Sequence, residues 1–222
     1  MKIIIPMAGM GTRMRPHTLT IPKPLIKLAG KSIVERLIER ITNVCNEKIE
    51  EVAFIIGDFG DQVEKDLKEI AIKHGAEPKI YYQHEPLGTG HAIWCASQSL
   101  QGKTVVAFAD TLFYADFTIK DSDEAIIWVK KAENPSSFGV VSLDESENIT
   151  GFVEKPQEFV SDLAIIGIYY FKNGEDLQKE LQYLMDNNIT RKGEYEITSA
   201  LEKMRINGLI FKPGKVQEWL DC

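Results

Sequence analysis

The chain has 222 residues, of which 44% are hydrophobic, and it carries a formal net charge of −7. This length is enough for one sizeable core, and no apolar run is long enough to cross a bilayer. The acidic balance argues against a general nucleic-acid binder, and three scattered cysteines without a Cys-x-x-Cys pair are typical of a reduced compartment. We therefore expect a cytoplasmic protein with neither a membrane nor a nucleic-acid partner.

Strand and helix patterns alternate through the first half of the chain. Apolar runs predict buried strands at 2–7, 52–56, 79–83 and 104–109. Amphipathic spacing predicts three helices: one that begins at Ser32, one at 61–74 and one at 90–100. This alternation predicts an α/β fold with a Rossmann-like, mainly parallel sheet and helices on both faces. Ligands bind beyond the carboxyl ends of such strands, where the loop after the first strand, Gln83 and Asp110 should converge.

The second half of the chain is richer in strands. Strand-like runs occupy 125–129, 138–143, 149–153 and 165–171, and the polar turn at 144–148 predicts a hairpin. Two helices, near 176–186 and 196–206, and two final strands, at 209–212 and 216–220, complete the pattern. We expect one domain over residues 1–222, whose two halves share a central sheet.

The segment from residue 6 to residue 25 has the features of a phosphate site. Gly9 and Gly11 let a loop bring its backbone N–H groups close to phosphate oxygens. Arg13 offers a planar fork of donors and Lys23 a point charge. Residues 1–34 include six basic side chains and no acidic one. The spacing fits neither a Walker A loop nor a dinucleotide fingerprint, and the glycine pair alone is also compatible with an ordinary turn.

A longer pattern in this segment is more specific. Gly-x-Gly-Thr-Arg-x-x-Pro-x-Thr, followed by Pro-Lys-Pro-Leu at 22–25, resembles the signature of sugar-1-phosphate nucleotidyltransferases. The resemblance is strongest to the glucose-1-phosphate thymidylyl- and uridylyltransferases, which release pyrophosphate as they join a nucleoside triphosphate to a sugar 1-phosphate. It implies that the opening loop binds the nucleotide through Ala8, Gly9, Gly11, Thr12 and Arg13.

The resemblance extends along essentially the whole chain and implies a nucleotide-diphospho-sugar transferase fold. The nucleotide-binding half would occupy about 1–112, and a sugar-binding half with a small antiparallel part about 113–222. Members of the family continue well beyond this point, so the chain is expected to be cut short at its carboxyl end. The implied partners are a nucleoside triphosphate and a sugar 1-phosphate, and the chain could also assemble as a homo-oligomer.

The segment from Gln83 to Ala92 resembles the family's base-recognition loop. Gln83 can donate and accept hydrogen bonds at the amide edge of uracil or thymine, and Gly88 permits close approach of the backbone to the base. Leu-Gly-Thr-Gly-His-Ala also resembles N-acetylglucosamine-1-phosphate uridylyltransferases, which leaves the substrate open. We interpret His91 as a packing residue at a helix start, because no neighbouring serine, cysteine or acid orients it as a base.

The pair Glu154-Lys155 suits a sugar phosphate, since the carboxylate accepts hydrogen bonds from hydroxyls and the ammonium meets the phosphate. A surface Glu–Lys pair is the alternative. The resemblance supports the first interpretation and implies further sugar-phosphate positions at Gly139, Gly167, Tyr169, Lys192 and Glu194. Ser199 replaces a family aspartate, and we assign it no role.

Two aspartates are candidate metal ligands. Asp110 follows a buried strand, where a carboxylate can bind Mg²⁺ or simply cap a turn. The resemblance implies that Asp110 and Asp221 hold the catalytic Mg²⁺ together. Asp221 lies one residue from the end of the chain, so a solvated terminal carboxylate is its alternative.

The predicted chemistry is displacement at the α-phosphorus by an already anionic phosphate oxygen, which needs no general base. Positioning and charge neutralisation by Arg13, Lys23, Asp110 and Lys155 would supply catalysis. One rival is a cytidylyl- or guanylyltransferase of the same fold, and another is a non-catalytic nucleotide-sugar-binding domain.

Overall fold

The structure is a computed structural model that describes residues 1–9 and 22–221, with the backbone alone for Asp221. Its helices are α1 (Ile33–Cys45), α2 (Asp61–Lys73), α3 (Thr89–Cys95), α4 (Gly174–Asp186) and α5 (Ile197–Ile206). Its strands are β1 (Lys2–Pro6), β2 (Lys27–Leu28), β3 (Lys31–Ser32), β4 (Glu51–Ile56), β5 (Glu77–Tyr82), β6 (Thr104–Ala107), β7 (Thr111–Tyr114), β8 (Ala125–Lys131), β9 (Gly139–Leu143), β10 (Ile149–Glu154), β11 (Leu163–Phe171), β12 (Phe211–Lys215) and β13 (Glu218–Asp221).

One large sheet runs through both halves of the chain. Its order is β10-β9-β11-β6-β1-β4-β5, with β8 paired to β11 and β12 paired to β8. Strands β6, β1, β4 and β5 are parallel, whereas β11 pairs antiparallel with β6, β8 and β9. The predicted α/β class is thus confirmed, and the antiparallel part forms one continuous sheet with the parallel part.

Helices cover both faces of the sheet, as the sequence predicts. Successive residues of β1 point to opposite faces: Ile3 and Ile5 pack with α1 and α2, and Ile4 packs with α3, α4 and α5. All three isoleucines are fully buried. In the described part of the chain, no helix has the length and apolar character needed to cross a bilayer.

The capping signals in the sequence fix the bounds of the first helix. The Ser32 hydroxyl accepts a hydrogen bond from the Glu35 N–H at 3.2 Å, which is half of the predicted capping box. Asn46 ends α1 in the left-handed conformation, and its N–H donates to the Thr42 carbonyl at 2.9 Å. The helix therefore begins and ends where side-chain and backbone partners satisfy its terminal groups.

Most predicted elements differ from the structure by a residue or more at one end, and three of these differences are described here. The helix expected at 90–100 ends at Cys95, and a 3-10 turn follows whose Ser97 carbonyl accepts from the Gln178 side chain at 2.9 Å. The strand expected at 104–109 ends at Ala107; the Phe108 N–H still donates to the Gly167 carbonyl of β11, and a turn begins at Ala109. The strand expected at 209–212 begins at Phe211, after a turn at Gly208 whose φ is +100°.

Candidate active site

A cleft of about 400 Å³ opens at the carboxyl ends of β1, β5 and β6. Seven of its lining residues are site candidates from the sequence: Ala8, Gly9, Lys23, Gln83, Gly88, Asp110 and Glu194. Parallel strands end at one edge of a sheet, which is why residues so far apart in sequence meet here.

Lys23 and Asp110 form an ion pair inside the cleft. The Lys23 ammonium lies 3.3 Å from Asp110 Oδ2, and the two side chains are 13% and 44% exposed. Lys23 begins a short 3-10 helix that follows Pro22 and packs Pro24 and Leu25 inward. The pair therefore places one cation and one carboxylate side by side, with the carboxylate open to solvent or ligand.

A turn after β6 holds Asp110 at the cleft. The Phe108 N–H donates to Gly167 at 2.9 Å, and the Thr111 hydroxyl donates to the Ile166 carbonyl at 2.8 Å, so β11 anchors the turn on both sides. β7 follows at once and pairs antiparallel with β13, with Thr111 opposite Asp221. The backbone of Asp221 thus lies across from the residue next to Asp110.

Gln83 lies at the end of β5 with its side-chain amide engaged by the protein. Its Nε2 is 3.2 Å from the Gly88 carbonyl and 3.1 Å from His91 Nδ1. These contacts leave the side-chain oxygen without a hydrogen-bond partner among the described residues. The amide is consequently held in one orientation before any ligand arrives.

The space beside the Gly88 Cα is filled by protein backbone. The φ of Gly88 is +106°, and an added Cβ would lie 2.6 Å from the Tyr195 carbonyl oxygen. The Tyr195 N–H donates to Leu87, and the Gly90 N–H donates to Tyr195, at 2.8 and 2.7 Å. The predicted base-recognition loop is therefore joined by backbone hydrogen bonds to the segment that contains Glu194.

A tight turn brings Glu194 to the cleft. Arg191 and Glu194 exchange backbone hydrogen bonds of 2.9 and 3.0 Å, and the two residues between them have positive φ values of 51° and 82°. Such values are those of a type I′ turn, which suits the Lys192-Gly193 sequence. Lys192 is exposed at the tip and does not line the cleft.

A second polar cluster surrounds Glu154 at the end of β10. Gly139 lies opposite Glu154 in the ladder, and an added Cβ at Gly139 would be 3.0 Å from Glu154 Oε2. The Thr198 hydroxyl donates to the same oxygen at 3.4 Å, and the Lys155 ammonium is 3.9 Å from the other one. Lys155 has a φ of 41°, an uncommon conformation for a lysine that is often kept at functional sites.

Glu196 belongs to this second cluster, although sequence reasoning assigned it no role. Burial raises the pKa of its carboxyl and Glu154 adds to the effect, while Arg191 and Lys155 oppose it. Its Oε2 is buried and makes no hydrogen bond among the described residues. The signal was available in the sequence, because Glu196 stands two residues after the candidate Glu194.

The remaining candidates fall into two groups. Gly167 supports the Asp110 turn through Phe108, and Tyr169 is 4% exposed, with the pKa of its hydroxyl raised by burial and by Glu154. Neither residue lines the cleft. Gly11, Thr12 and Arg13 lie outside the described residues, as does the Asp221 side chain.

Another group of potential metal ligands lies away from the cleft. Glu35, Glu39 and His74 bring ligand atoms within 4.8 Å of one another on α1 and at the end of α2. Lysines already occupy both carboxylates: Lys73 lies 2.5 Å from Glu35 and Lys31 lies 2.5 Å from Glu39. This group is separate from the predicted Mg²⁺ ligands.

The parallel sheet and the strand-end cleft with its paired cation and carboxylate define an α/β protein with a polar cleft at the carboxyl ends of its parallel strands. The chain belongs to the nucleotidyl transferase family, whose model matches residues 2–222. This match confirms the family resemblance in the sequence.

Three similar proteins illustrate the range of the family. Bifunctional protein GlmU of Methanococcus maripaludis is 34% identical, over 94% of this chain and 48% of that protein. Mannose-1-phosphate guanylyltransferase catalytic subunit beta of Drosophila melanogaster is 37% identical, over 77% of this chain and 48% of that protein. The chain thus spans about half the length of these two relatives. The solved nucleoside-diphosphate-sugar pyrophosphorylase of Vibrio cholerae RC9 is 20% identical and shares the fold, with a TM-score of 0.81 over 99% of this chain and 95% of that one.

Proposed function

We propose that this chain transfers a nucleotidyl group from a nucleoside triphosphate to a sugar 1-phosphate and releases pyrophosphate. The observation that carries the proposal is the convergence of Lys23, Asp110 and Gln83 on one strand-end cleft. A cation, a carboxylate and an amide are the groups that a triphosphate, its counter-ion and a base require.

The chemistry of the cleft suits an attack that needs no general base. The nucleophile is a phosphate oxygen that is already anionic. The described lining of the cleft contains no histidine, cysteine or serine. Rate enhancement would then come from alignment of the two substrates and from neutralisation of their charges.

Several of the candidate residues have distinct roles in this proposal. Lys23, 13% exposed at its side chain, would neutralise the α-phosphate region, and Arg13 with the Gly9 loop would hold the departing pyrophosphate. Lys155, with its side chain 65% exposed, would meet the phosphate of the sugar substrate while Glu154 accepts hydrogen bonds from the sugar hydroxyls.

Asp110 has the properties expected of a magnesium ligand. Its carboxylate is an oxygen donor that is 44% exposed at the cleft, and the ladder between β7 and β13 brings the Asp221 backbone next to its neighbour Thr111. Mg²⁺ bound there would neutralise phosphate charge and orient the donor oxygens. Lys23 already pairs with Asp110. When the Asp110 carboxylate binds Mg²⁺, the Lys23 ammonium would pair with the phosphate groups instead.

The preferred substrates in this proposal are dTTP or UTP with glucose 1-phosphate or a similar sugar phosphate. The second candidate is GTP with mannose 1-phosphate, favoured by the 37% identity to the Drosophila guanylyltransferase subunit. The discriminating measurement is pyrophosphate release from UTP, dTTP, GTP, CTP and ATP, each with glucose, N-acetylglucosamine and mannose 1-phosphates, with Mg²⁺ and with a chelator.

Asp110→Asn provides the mutational test. We expect it to abolish metal-dependent turnover and to change stability by less than about 1 kcal/mol, since the Lys23–Asp110 pair is partly exposed. The matched control is Asp121→Asn, which removes an exposed carboxylate 3.5 Å from Lys103 and should leave turnover unchanged. Near-normal turnover in Asp110→Asn would exclude the metal role, and binding without turnover in the unmodified chain would favour the non-catalytic alternative.

Arg13→Ala provides a second test. Loss of one preorganised donor should cost about 2–4 kcal/mol of transition-state stabilisation. An effect on kcat/KM below about tenfold, which corresponds to about 1.4 kcal/mol, would place Arg13 outside the phosphate site.

A further inference from the structure

His91 contacts the side chain that would recognise the base. It lies in the first turn of α3, and its Nδ1 is 3.1 Å from Gln83 Nε2. The Gly88 carbonyl lies 3.2 Å from the same nitrogen. Two groups from the start of α3, its N-cap carbonyl and a first-turn ring, therefore converge on one atom of Gln83.

These contacts determine which end of the amide faces the protein. A backbone carbonyl can only accept a hydrogen bond, so Gly88 requires the NH₂ group of Gln83 on its side. The second N–H of that group then points to His91 Nδ1, which must be the unprotonated nitrogen of the ring. Both Gln83 protons are used, and its carbonyl oxygen is left as an acceptor.

The ionisation of His91 agrees with this geometry. Burial lowers the pKa of the imidazole, and the opposing effects of the Glu85 charge and the Glu85 backbone are smaller. A neutral ring has one accepting nitrogen, as the contact with Gln83 requires. With Nδ1 accepting, the proton of the neutral ring resides on Nε2.

We propose that His91 is a positioning residue for base selection: it locks the Gln83 amide so that Gln83 presents an acceptor, and no donor, to the nucleotide base. This inference rests on the proposed function, because it requires the cleft to take a nucleotide. It also replaces the sequence-based expectation that Gln83 both donates and accepts. Because bases differ in where they present N–H groups, a fixed acceptor discriminates among them, whereas an amide free to turn does not.

Two variants separate the acceptor from mere packing. His91→Leu removes the accepting nitrogen and leaves the contact with the Gly88 carbonyl as the one hydrogen bond that holds the amide among the described residues, whereas His91→Asn offers a side-chain oxygen close to the position of Nδ1. Calorimetric affinities for UTP, dTTP, GTP, CTP and ATP give the ratio between the best-bound and worst-bound nucleotide. We expect His91→Leu to reduce this ratio about 2- to 12-fold, the effect of one net hydrogen bond, and His91→Asn to preserve it.

A spectroscopic measurement tests the same point without turnover. Nitrogen-15 spectra of the unmodified chain at neutral pH should show the His91 ring protonated at Nε2 and unprotonated at Nδ1. A proton on Nδ1 would overturn the inference, since the Gln83 amide would then have to turn.

The binding outcomes are equally decisive. Unchanged selectivity in His91→Leu, or equal loss in His91→Asn, would overturn the role of His91. If the unmodified chain binds nucleotides selectively but releases no pyrophosphate, the proposed function fails. The affinity ratios of the two His91 variants then still test the positioning role of His91. If it binds none of the five triphosphates, both proposals fail.

Discussion

Gly88 lies where the predicted base-recognition loop contacts the segment around Glu194. Replacing it tests whether a glycine is needed there for ligand approach or for packing within the protein. The sequence suggests that Gly88 lets a ligand approach the backbone. The structure shows protein backbone in that space: the added Cβ of Gly88→Ala would meet the Tyr195 carbonyl oxygen at 2.6 Å and the Tyr195 nitrogen at 2.8 Å. We therefore expect the alanine to disturb the protein itself.

The expected cost has two parts. Gly88 has a φ of 106° and a ψ of 175°, a region that non-glycine residues enter at a cost of about 1–3 kcal/mol. Backbone atoms at 2.6 and 2.8 Å cannot rotate away, and overpacking of this kind costs about 1–3 kcal/mol more. The sum, about 2–6 kcal/mol, is a large share of the stability of an ordinary domain.

Gly208→Ala is the matched control. Gly208 has a φ of 100° and no atom within 4 Å of an added Cβ, so its replacement carries the conformational cost alone, about 1–2 kcal/mol. Urea denaturation of both variants gives the difference. If Gly88→Ala is no less stable than Gly208→Ala and loses only nucleotide binding, the packing argument is refuted and ligand approach explains the glycine.

Two further predictions concern contacts between distant segments. Thr89 Oγ1 accepts a hydrogen bond of 3.1 Å from the Ile197 N–H at the start of α5. In urea denaturation, Thr89→Val should therefore lower the free energy of unfolding by about 1 kcal/mol, and Thr89→Ser by much less. Equal losses of stability in the two variants would exclude a capping role. Burial alone would raise the pKa of Asp123, but Lys212 at 2.7 Å and the Lys120 N–H at 2.8 Å lower it below its usual 3.8. The Asp123–Lys212 pair should therefore stabilise the fold by about 1–2 kcal/mol above pH 3.8. The difference in stability between the unmodified chain and Asp123→Asn should disappear as the pH falls through the lowered pKa. A difference in denaturation midpoints that does not change with pH would contradict this.

Local signals were sufficient for the parallel half of the fold. The runs at 2–7 and 52–56 are apolar without alternation, as strands buried on both faces require, and they became β1 and β4. The capping pair Ser32 and Glu35 placed the start of α1 correctly. The convergence of Gln83 and Asp110 also followed, since it needs only the order of strands and helices and the rule that parallel strands end together.

Contacts between distant segments explain what the sequence did not reveal. β7 is four residues long and finds its partner in β13, more than a hundred residues later, so no local periodicity marks it. The neighbour of Gly88 is Tyr195, and the position of Asp110 depends on Gly167. The sequence suggests ligand contacts at Gly88 and Gly167, and it could not show that Gly88 also packs against Tyr195 and Gly167 against Phe108.

These long-range contacts bear on how the two proposed subsites work together. β11, from the second half, pairs with β6 from the first, and the loop at 87–90 is hydrogen bonded to Tyr195. In-line displacement requires the attacking and leaving oxygens to be aligned, and misplacement of about 1 Å can cost a hundredfold in rate. Two independently moving lobes would have to restore that alignment at every turnover. In the proposed reaction, the shared sheet and the hydrogen bonds between the loop and Tyr195 would supply it in advance, so variants at this junction should lower kcat as well as affinity.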